Sequence, residues 1–323
     1  MKKILYILFL FFASFTTLLG QQESHFTHFM YNQQVINPGF VGSRGVPSVM
    51  ALYRNQWLDI EGAPQNTILS FSSPFLGDRV GFGLSAQRQQ IGLFENWYAN
   101  LAYSYGIPLT EKLTVRVGLQ GSGFFNQIDF TNGGNGLTIF GSDDPSIVQN
   151  MESSQLKGNF GAGFLVHSEK YYFGLAVPYF LNNQLGFNEN VNFPALKERH
   201  YYGMLGFLLP ISEKIKLRQA FLGKYVSGAP FQLDANLSFI LDQKFSLGLS
   251  YRTGNGPDDI AESLDFLLFI NLSERLGLGV AYDFTLSSLK DYNNGTFELM
   301  LRYDLKKRRD DLENGRYFIQ QFD

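Results

Sequence analysis

The sequence predicts an all-β chain closed into a fourteen-strand transmembrane antiparallel β-barrel of outer-membrane type. Three observations carry this. The first is the last hairpin. From Leu276 to Phe284 the even positions are Leu, Leu, Val, Tyr and Phe, and the odd positions are Gly, Gly, Ala and Asp. The returning segment places Phe297, Leu299, Leu301, Tyr303 and Leu305 on one side and Glu298, Met300, Arg302 and Asp304 on the other. Alternate residues of a strand point to opposite faces, so one face is apolar throughout and the other is mostly small or charged. The second observation is length: these runs are about ten residues, what a tilted strand needs to cross a bilayer. The third is composition. Gly is 33 of 323 residues, aromatics are 16% and charged residues only 17%, against a usual charged fraction of roughly 25%. No apolar run long enough for a membrane helix follows residue 20. The repeated alternation, with no helix to cover a core, turns the apolar faces toward lipid.

In chain order, residues 1–20 read as a secretory signal: Lys2 and Lys3, the apolar run Ile4 to Phe12, then Ser14 to Gly20 before a cut at Gln21. Residues 21–46 read as an extended, polar periplasmic segment; either it or the long loop 127–156 can fold in and block a pore. The barrel covers 47–305, with strands expected at 47–54, 65–73, 79–88, 95–107, 112–126, 157–167, 170–180, 199–210, 214–226, 230–241, 244–254, 262–271, 275–285 and 295–305. The connections alternate between tight turns and a mostly longer set at 55–64, 89–94, 127–156, 181–198, 227–229, 255–261 and 286–294. An even strand number with short periplasmic turns and longer outer loops puts both termini in the periplasm of a Gram-negative cell. Residues 306–323 are a periplasmic tail whose run Lys306-Lys307-Arg308-Arg309 meets lipid headgroups or docks a partner.

Facing follows from the alternation. Phe82, Leu84, Leu101, Tyr103, Tyr105, Phe173, Leu175, Leu247 and Leu249 point to lipid. Ser85, Gln87, Asn100, Arg116, Gln120, Arg218, Lys224, Asp234, Arg252, Asp265, Asp283, Glu298, Arg302 and Asp304 line the lumen. A Lys or Arg facing lipid at mid-bilayer costs about 2–4 kcal/mol, and both signs inside permit ion pairs across the barrel. Trp57, Trp97, Tyr171 and Tyr201 suit an interfacial girdle.

Several motifs go further. Phe29-Met30-Tyr31-Asn32, the cluster Asn37-Pro38-Gly39-Phe40-Val41-Gly42, Tyr53-Arg54-Asn55-Gln56-Trp57 and Gly62-Ala63-Pro64-Gln65-Asn66-Thr67 follow one another near the start. Tyr282-Asp283-Phe284 and Gly295 to Leu301 stand near the end. Together they resemble the PorP/SprF family of the type IX secretion system of the Bacteroidota. Gly39 replaces a more usual Ala, and Phe297 a frequent His. The resemblance implies an outer-membrane component that helps secrete, or holds at the cell surface, a large partner such as a gliding-motility adhesin. It also implies contact with other type IX components, and marks Asn37, Pro38, Gly42, Tyr53, Arg54, Asn55, Gln56 and Trp57 as structural motif positions. For partner binding the outer loop at Trp57, Gly62, Ala63 and Pro64 is the candidate, against a plain interfacial role for Trp57.

Other chemistry is not supported. A net charge of −3 does not mark a nucleic-acid binder. Cys is absent, which removes disulfides and thiolate sites. His25 and His28 are three apart in an extended segment, a spacing that does not put them on one face. Asp143-Asp144, and Asp258-Asp259 with Glu262, lack calcium-loop spacing. Gly118, Gly121, Gly123, Gly158, Gly161 and Gly163 read as curvature or lumen space. No hydrolase, phosphate-loop or dinucleotide motif is present, so the chain reads as no enzyme and as binding no cofactor. The alternative to a secretion scaffold is a passive outer-membrane channel for small solutes.

Overall fold

The computed structural model describes residues 25–76, 79–128, 155–184, 196–254 and 260–305. The signal segment, the tail at 306–323, Asp143-Asp144 and Asp258-Asp259 lie outside the described residues.

The strands are β1 (Ser48–Asn55), β2 (Gln65–Phe75), β3 (Val80–Ile91), β4 (Phe94–Pro108), β5 (Thr114–Ile128), β6 (Gln155–His167) and β7 (Tyr171–Val177). After the two-residue strands β8 (Asn183–Gln184) and β9 (Leu196–Lys197) come β10 (His200–Pro210), β11 (Ile215–Val226), β12 (Gln232–Leu241), β13 (Phe245–Thr253), β14 (Ala261–Asn271), β15 (Leu276–Thr285) and β16 (Thr296–Asp304). β8 and β9 pair only with each other, and the other fourteen close a barrel in which each strand meets its sequence neighbour antiparallel. Closure is made by β1 on β16, from Ser48 opposite Asp304 to Asn55 opposite Phe297. All fourteen expected strands are present. Each of the fourteen strands has a partner strand on both sides, the condition for putting strands in hydrocarbon.

One end of the barrel carries the tight turns, such as 168–170, 211–214 and 242–244, and the other the long connections, such as 56–64, 178–199 and 286–295. At the tight end Asp242 and Gln243 both take positive φ, +49° and +54°, the handedness that matches strand twist in a tight hairpin. Two expectations change. The loop expected at 89–94 shrinks to Gly92-Leu93, because Gly92 at φ +55° lets β3 and β4 pair out to Ile91 and Phe94. The seventh strand, expected at 170–180, stops at Val177 because Pro178 cannot continue a ladder.

The lipid-facing positions are as the alternation predicts. Leu84, Leu101, Tyr103, Phe173, Leu175, Leu247 and Leu249 are exposed, while Arg116, Arg218, Arg252, Asp265 and Glu298 are buried. Exposed Leu76, Leu109, Ile211 and Leu272 begin tight turns and set an apolar rim at that end. On the β3–β4 wall toward the other end, Arg88 pairs with Glu95 at 2.7 Å, and Trp97 lies under the Arg88 guanidinium, 5.7 Å from ring centre to carbon. Such a mix of charge and indole suits the interface with headgroups.

This facing has a measurable consequence. Leu247→Arg places a charge on the lipid side and should destabilise the folded barrel by about 2–4 kcal/mol in lipid vesicles. Gln87→Arg, on the lumen side, should cost less than half of that in the same urea titration. Equal costs would refute the assignment of faces.

Candidate functional site: a lumen filled by the N-terminal segment

Residues 25–46 do not lie outside the barrel; they run through its lumen. Thr27, His28, Phe29, Met30, Tyr31, Asn37, Phe40 and Val41 are all buried. The direction of the run is fixed by pairs at both ends. Near the long-loop end His25 sits 3.2 Å from Lys224 and 3.8 Å from Asp234, and Thr27 and His28 meet Asp283 and Glu298. Each of these four wall residues stands third from the long-loop end of its strand. At the tight-turn end Arg44 makes two 3.1 Å bonds to Asp304, the last residue of β16.

Arg54 is the hub of the upper anchor. Its guanidinium bonds Asp283 at 2.7 Å and Glu298 at 3.1 Å, and donates to Thr27 Oγ1 at 2.9 Å. Glu298 also accepts the backbone N–H groups of Thr27 and His28, at 2.9 and 2.8 Å, and lies 2.7 Å from His28 Nδ1. A second pair, Arg252 with Asp234 at 2.7 Å, stands beside it. A buried ion pair is roughly neutral in stability against an apolar pair of the same shape, but removing one member costs about 3–5 kcal/mol. The pairs therefore fix where the segment sits more than how tightly it is held.

Apolar contact supplies the holding. Tyr31 stacks on Phe269 with centroids 4.4 Å apart, Arg218 covers the other Tyr31 face at 4.4 Å, and Arg302 covers Phe269 at 4.7 Å. Phe40 meets Tyr172 edge-on at 5.5 Å. These rings join one buried cluster with inward Met50, Leu52, Ile68, Leu165, Met204, Leu208 and Met300. Burying four large side chains, Phe29, Met30, Tyr31 and Phe40, is worth about 1.5–3 kcal/mol each, so this term exceeds the net gain from the ion pairs.

The turn-rich cluster fits the wall backbone to backbone. Asn37 donates from Nδ2 to the carbonyls of Phe164 and Leu175 at 3.1 and 3.3 Å, and its Oδ1 accepts from Gly39 N–H. Val41 O accepts from Ser104 Oγ at 2.6 Å and from Arg116 at 3.0 Å. A side chain at Gly118 would overlap the Pro38–Gly39 peptide, and one at Gly163 would overlap the Asn37 amide. Curvature or lumen space is the expectation at both positions, and here lumen space is taken by this segment.

The motif positions thus divide. Asn37, Pro38 and Gly42 belong to the lumen segment and Arg54 to its anchor, while Tyr53 points to lipid. Trp57, Gly62, Ala63 and Pro64 form a braced rim. Trp57 is half-buried at φ +49°, with its N–H on Thr296 Oγ1. Leu58 exchanges backbone bonds with Gly295 and Asn294, Gln56 N–H bonds Pro64 O, and Gly62 O accepts from Gly92. Asn55 closes β1 opposite Phe297. His25 and His28 go to different partners, Asp234 and Glu298. The alternation missed the inward apolar residues. A readable sign was Phe266-Leu267-Leu268-Phe269-Ile270, with no polar alternate: an uninterrupted apolar strand is one covered on both faces.

Glu298→Gln should lower unfolding stability in detergent by about 3–5 kcal/mol and expose the Arg44 peptide bond to trypsin in the otherwise folded barrel. Unchanged stability and an uncut Arg44 would show that the anchor is not needed. Gly163→Leu should likewise admit trypsin at Arg44, by displacing Asn37, with the barrel strands still protected.

No curated protein matches the chain. Among solved structures, the CymD monoaromatic hydrocarbon channel aligns with a TM-score of 0.52 and 11% identity, over 90% of this chain and 96% of that one. A FadL homologue from Pseudomonas aeruginosa aligns over the same shares with a TM-score of 0.41 and 12% identity. At such identities the likeness is one of fold. The family model described as type IX secretion system membrane protein PorP/SprF spans residues 18–303, and the chain belongs to that family.

Proposed function

We propose that this barrel is an outer-membrane scaffold of the type IX secretion apparatus. It helps to secrete, or retains at the cell surface, a large partner protein such as a gliding-motility adhesin. The observation that carries this is the filled lumen: residues 25–46 occupy it from one end to the other, held by Arg54, Glu298 and Asp283 at one end and Asp304 at the other. A barrel so filled offers its partners a rim and an outer surface rather than a passage. The short turns and the C-terminal tail face the periplasm in this reading, where other secretion components meet them, and the long loops face out. The rim at Trp57, Gly62, Ala63 and Pro64 is the partner surface we favour. Its backbone is tied to the β15–β16 connection and to Gly92, so little order has to be imposed on binding.

The second reading is a passive channel. It is favoured by the polar side chains Gln34, Ser85, Asn100 and Gln120, which border a small hollow beside the segment together with Val41 and Ala102. Conductance separates the two. The purified full chain in planar bilayers should give no steady open events, and Gly163→Leu should give them. Steady openings from the unaltered chain would favour the channel. For the secretion role, deleting the protein should leave one or a few surface proteins undelivered or shed into the medium; an unchanged surface and secreted proteome would refute it.

A further inference from the structure

The even strand count brings the two ends of the wall together. Ser48, which opens β1, stands opposite Asp304, which ends β16, at the tight-turn end. The count does not decide where the residues ahead of β1 go. Their contacts with the wall do.

On β16, β1 and β2 those contacts descend in chain order. Thr27 and His28 give their backbone N–H groups to Glu298. Asn32 Oδ1 accepts from Ser70 Oγ at 3.1 Å. Ser70 is in register with Met50, and Met50 with Arg302, which lies further along β16 toward the tight turns. Gly42 N–H donates to Ser72 Oγ at 2.8 Å, and Arg44 bonds Asp304. Ser72, Ser48 and Asp304 form one row across the three strands. The segment therefore crosses the lumen once, downward from the long loops. His25 stands at the top of the run, between Lys224 and Asp234, each third from the long-loop end of its strand.

Chain length decides the rest. A cut before Gln21 leaves four residues ahead of His25. Extended, four residues reach at most about 14 Å. From Glu298 to Asp304 alone the wall runs about 20 Å, at roughly 3.3 Å per residue, so four residues cannot return to the tight turns. The way back is also occupied: Phe29, Met30, Tyr31 and Phe40 are buried in one cluster with Met50, Leu52, Leu165 and Met300. Upward the distance is short. The third residue of a strand stands only about 7 Å from its end, which four residues cover.

We infer that the mature chain begins at the long-loop mouth and leaves the barrel wall at the tight-turn end, so that its two ends lie on opposite sides of the membrane. The inference rests on the reading that the long loops face out. Given that reading, the N-terminal end is displayed at the cell surface, on the same mouth as the rim at Trp57, Gly62, Ala63 and Pro64. It adds a free peptide end to what an extracellular partner meets, while the C-terminal tail stays with the periplasmic components.

Cys is absent from the chain, so single cysteines report sidedness without background. The probe is a maleimide carrying a polyethylene glycol chain too large to pass the outer membrane. It is applied to intact Gram-negative cells making the full chain and read as a gel shift. Ser24→Cys should shift on intact cells about as fully as Lys290→Cys, on an exposed residue of the β15–β16 connection. Glu213→Cys, on an exposed residue of the tight turn 211–214, should shift only after the outer membrane is permeabilised. A Ser24→Cys shift that needs permeabilisation while the Lys290→Cys shift does not would overturn the inference and leave the orientation of the barrel standing. Lys290→Cys and Glu213→Cys changing places would instead overturn the reading that the long loops face out. Should Ser24→Cys shift under neither condition, an epitope inserted after Gln22 takes its place. Antibody should then bind intact cells, and binding to lysed cells only would refute a surface N-terminus.

Discussion

Fourteen strands enclose more space than their inward side chains fill. Barrels of about eight strands can be packed by their own side chains; wider ones leave a channel or need a plug. This chain meets the constraint with residues 25–46, and much of the inner face is arranged around them. The apolar residues of the inner wall have partners because Phe29, Met30, Tyr31 and Phe40 lie against them. Gly118 of β5 and Gly163 of β6 face the lumen where the Asn37–Gly39 stretch presses on the wall. Remove the segment, and an apolar patch on the inner wall would stand in water.

The two kinds of contact do different jobs. Grease holds the segment but is indifferent to small shifts along the wall. Charged pairs are close to neutral in net stability, yet one displaced by a residue leaves a buried charge unmatched. Arg54 therefore acts as a register pin. It joins β1 to Asp283 of β15 and Glu298 of β16, and the same Glu298 takes two backbone N–H groups from Thr27 and His28. β1 on β16 is also the pair that closes the ring. The first strand, the last two strands and the lumen segment are thus locked at one point, with Glu298 244 positions from Arg54 and 271 from Thr27 in the chain.

That distance explains what could be read in advance. Strand number, facing and the short and long ends follow from a period of two and from turn residues, which are local. Asp283 and Glu298 were legible as lumen residues for the same reason, while Arg54 stood out only as a position of the Tyr53–Trp57 motif. Their joint capture of Thr27 and His28 was not, since neither residue stands out in a stretch that reads as polar and extended but folds into turns and two short 3-10 helices, Gln33–Val35 and Pro38–Phe40. The end of β7 was misplaced because Tyr179 and Phe180 look like strand residues, and Pro178 decides against them only when Gly161 opposite gives it room to turn inward. At 89–94 the error ran the other way, with one glycine at positive φ replacing a loop by a two-residue hairpin.

The filled lumen and the interrupted wall are connected. A barrel whose interior is open can tolerate few gaps, because water would reach the hydrocarbon through them. Here the interior beside β6 is occupied by Tyr179 against Phe124, with Gln120 bonded to the Pro178 carbonyl. Ring closure, ion pairs and stacked aromatics coincide on the β1–β16 side. On the β6–β7 side the ladder stops at Ala162 opposite Val177, and beyond it the Asn159 amide and the Phe160 and Phe180 rings make the contact.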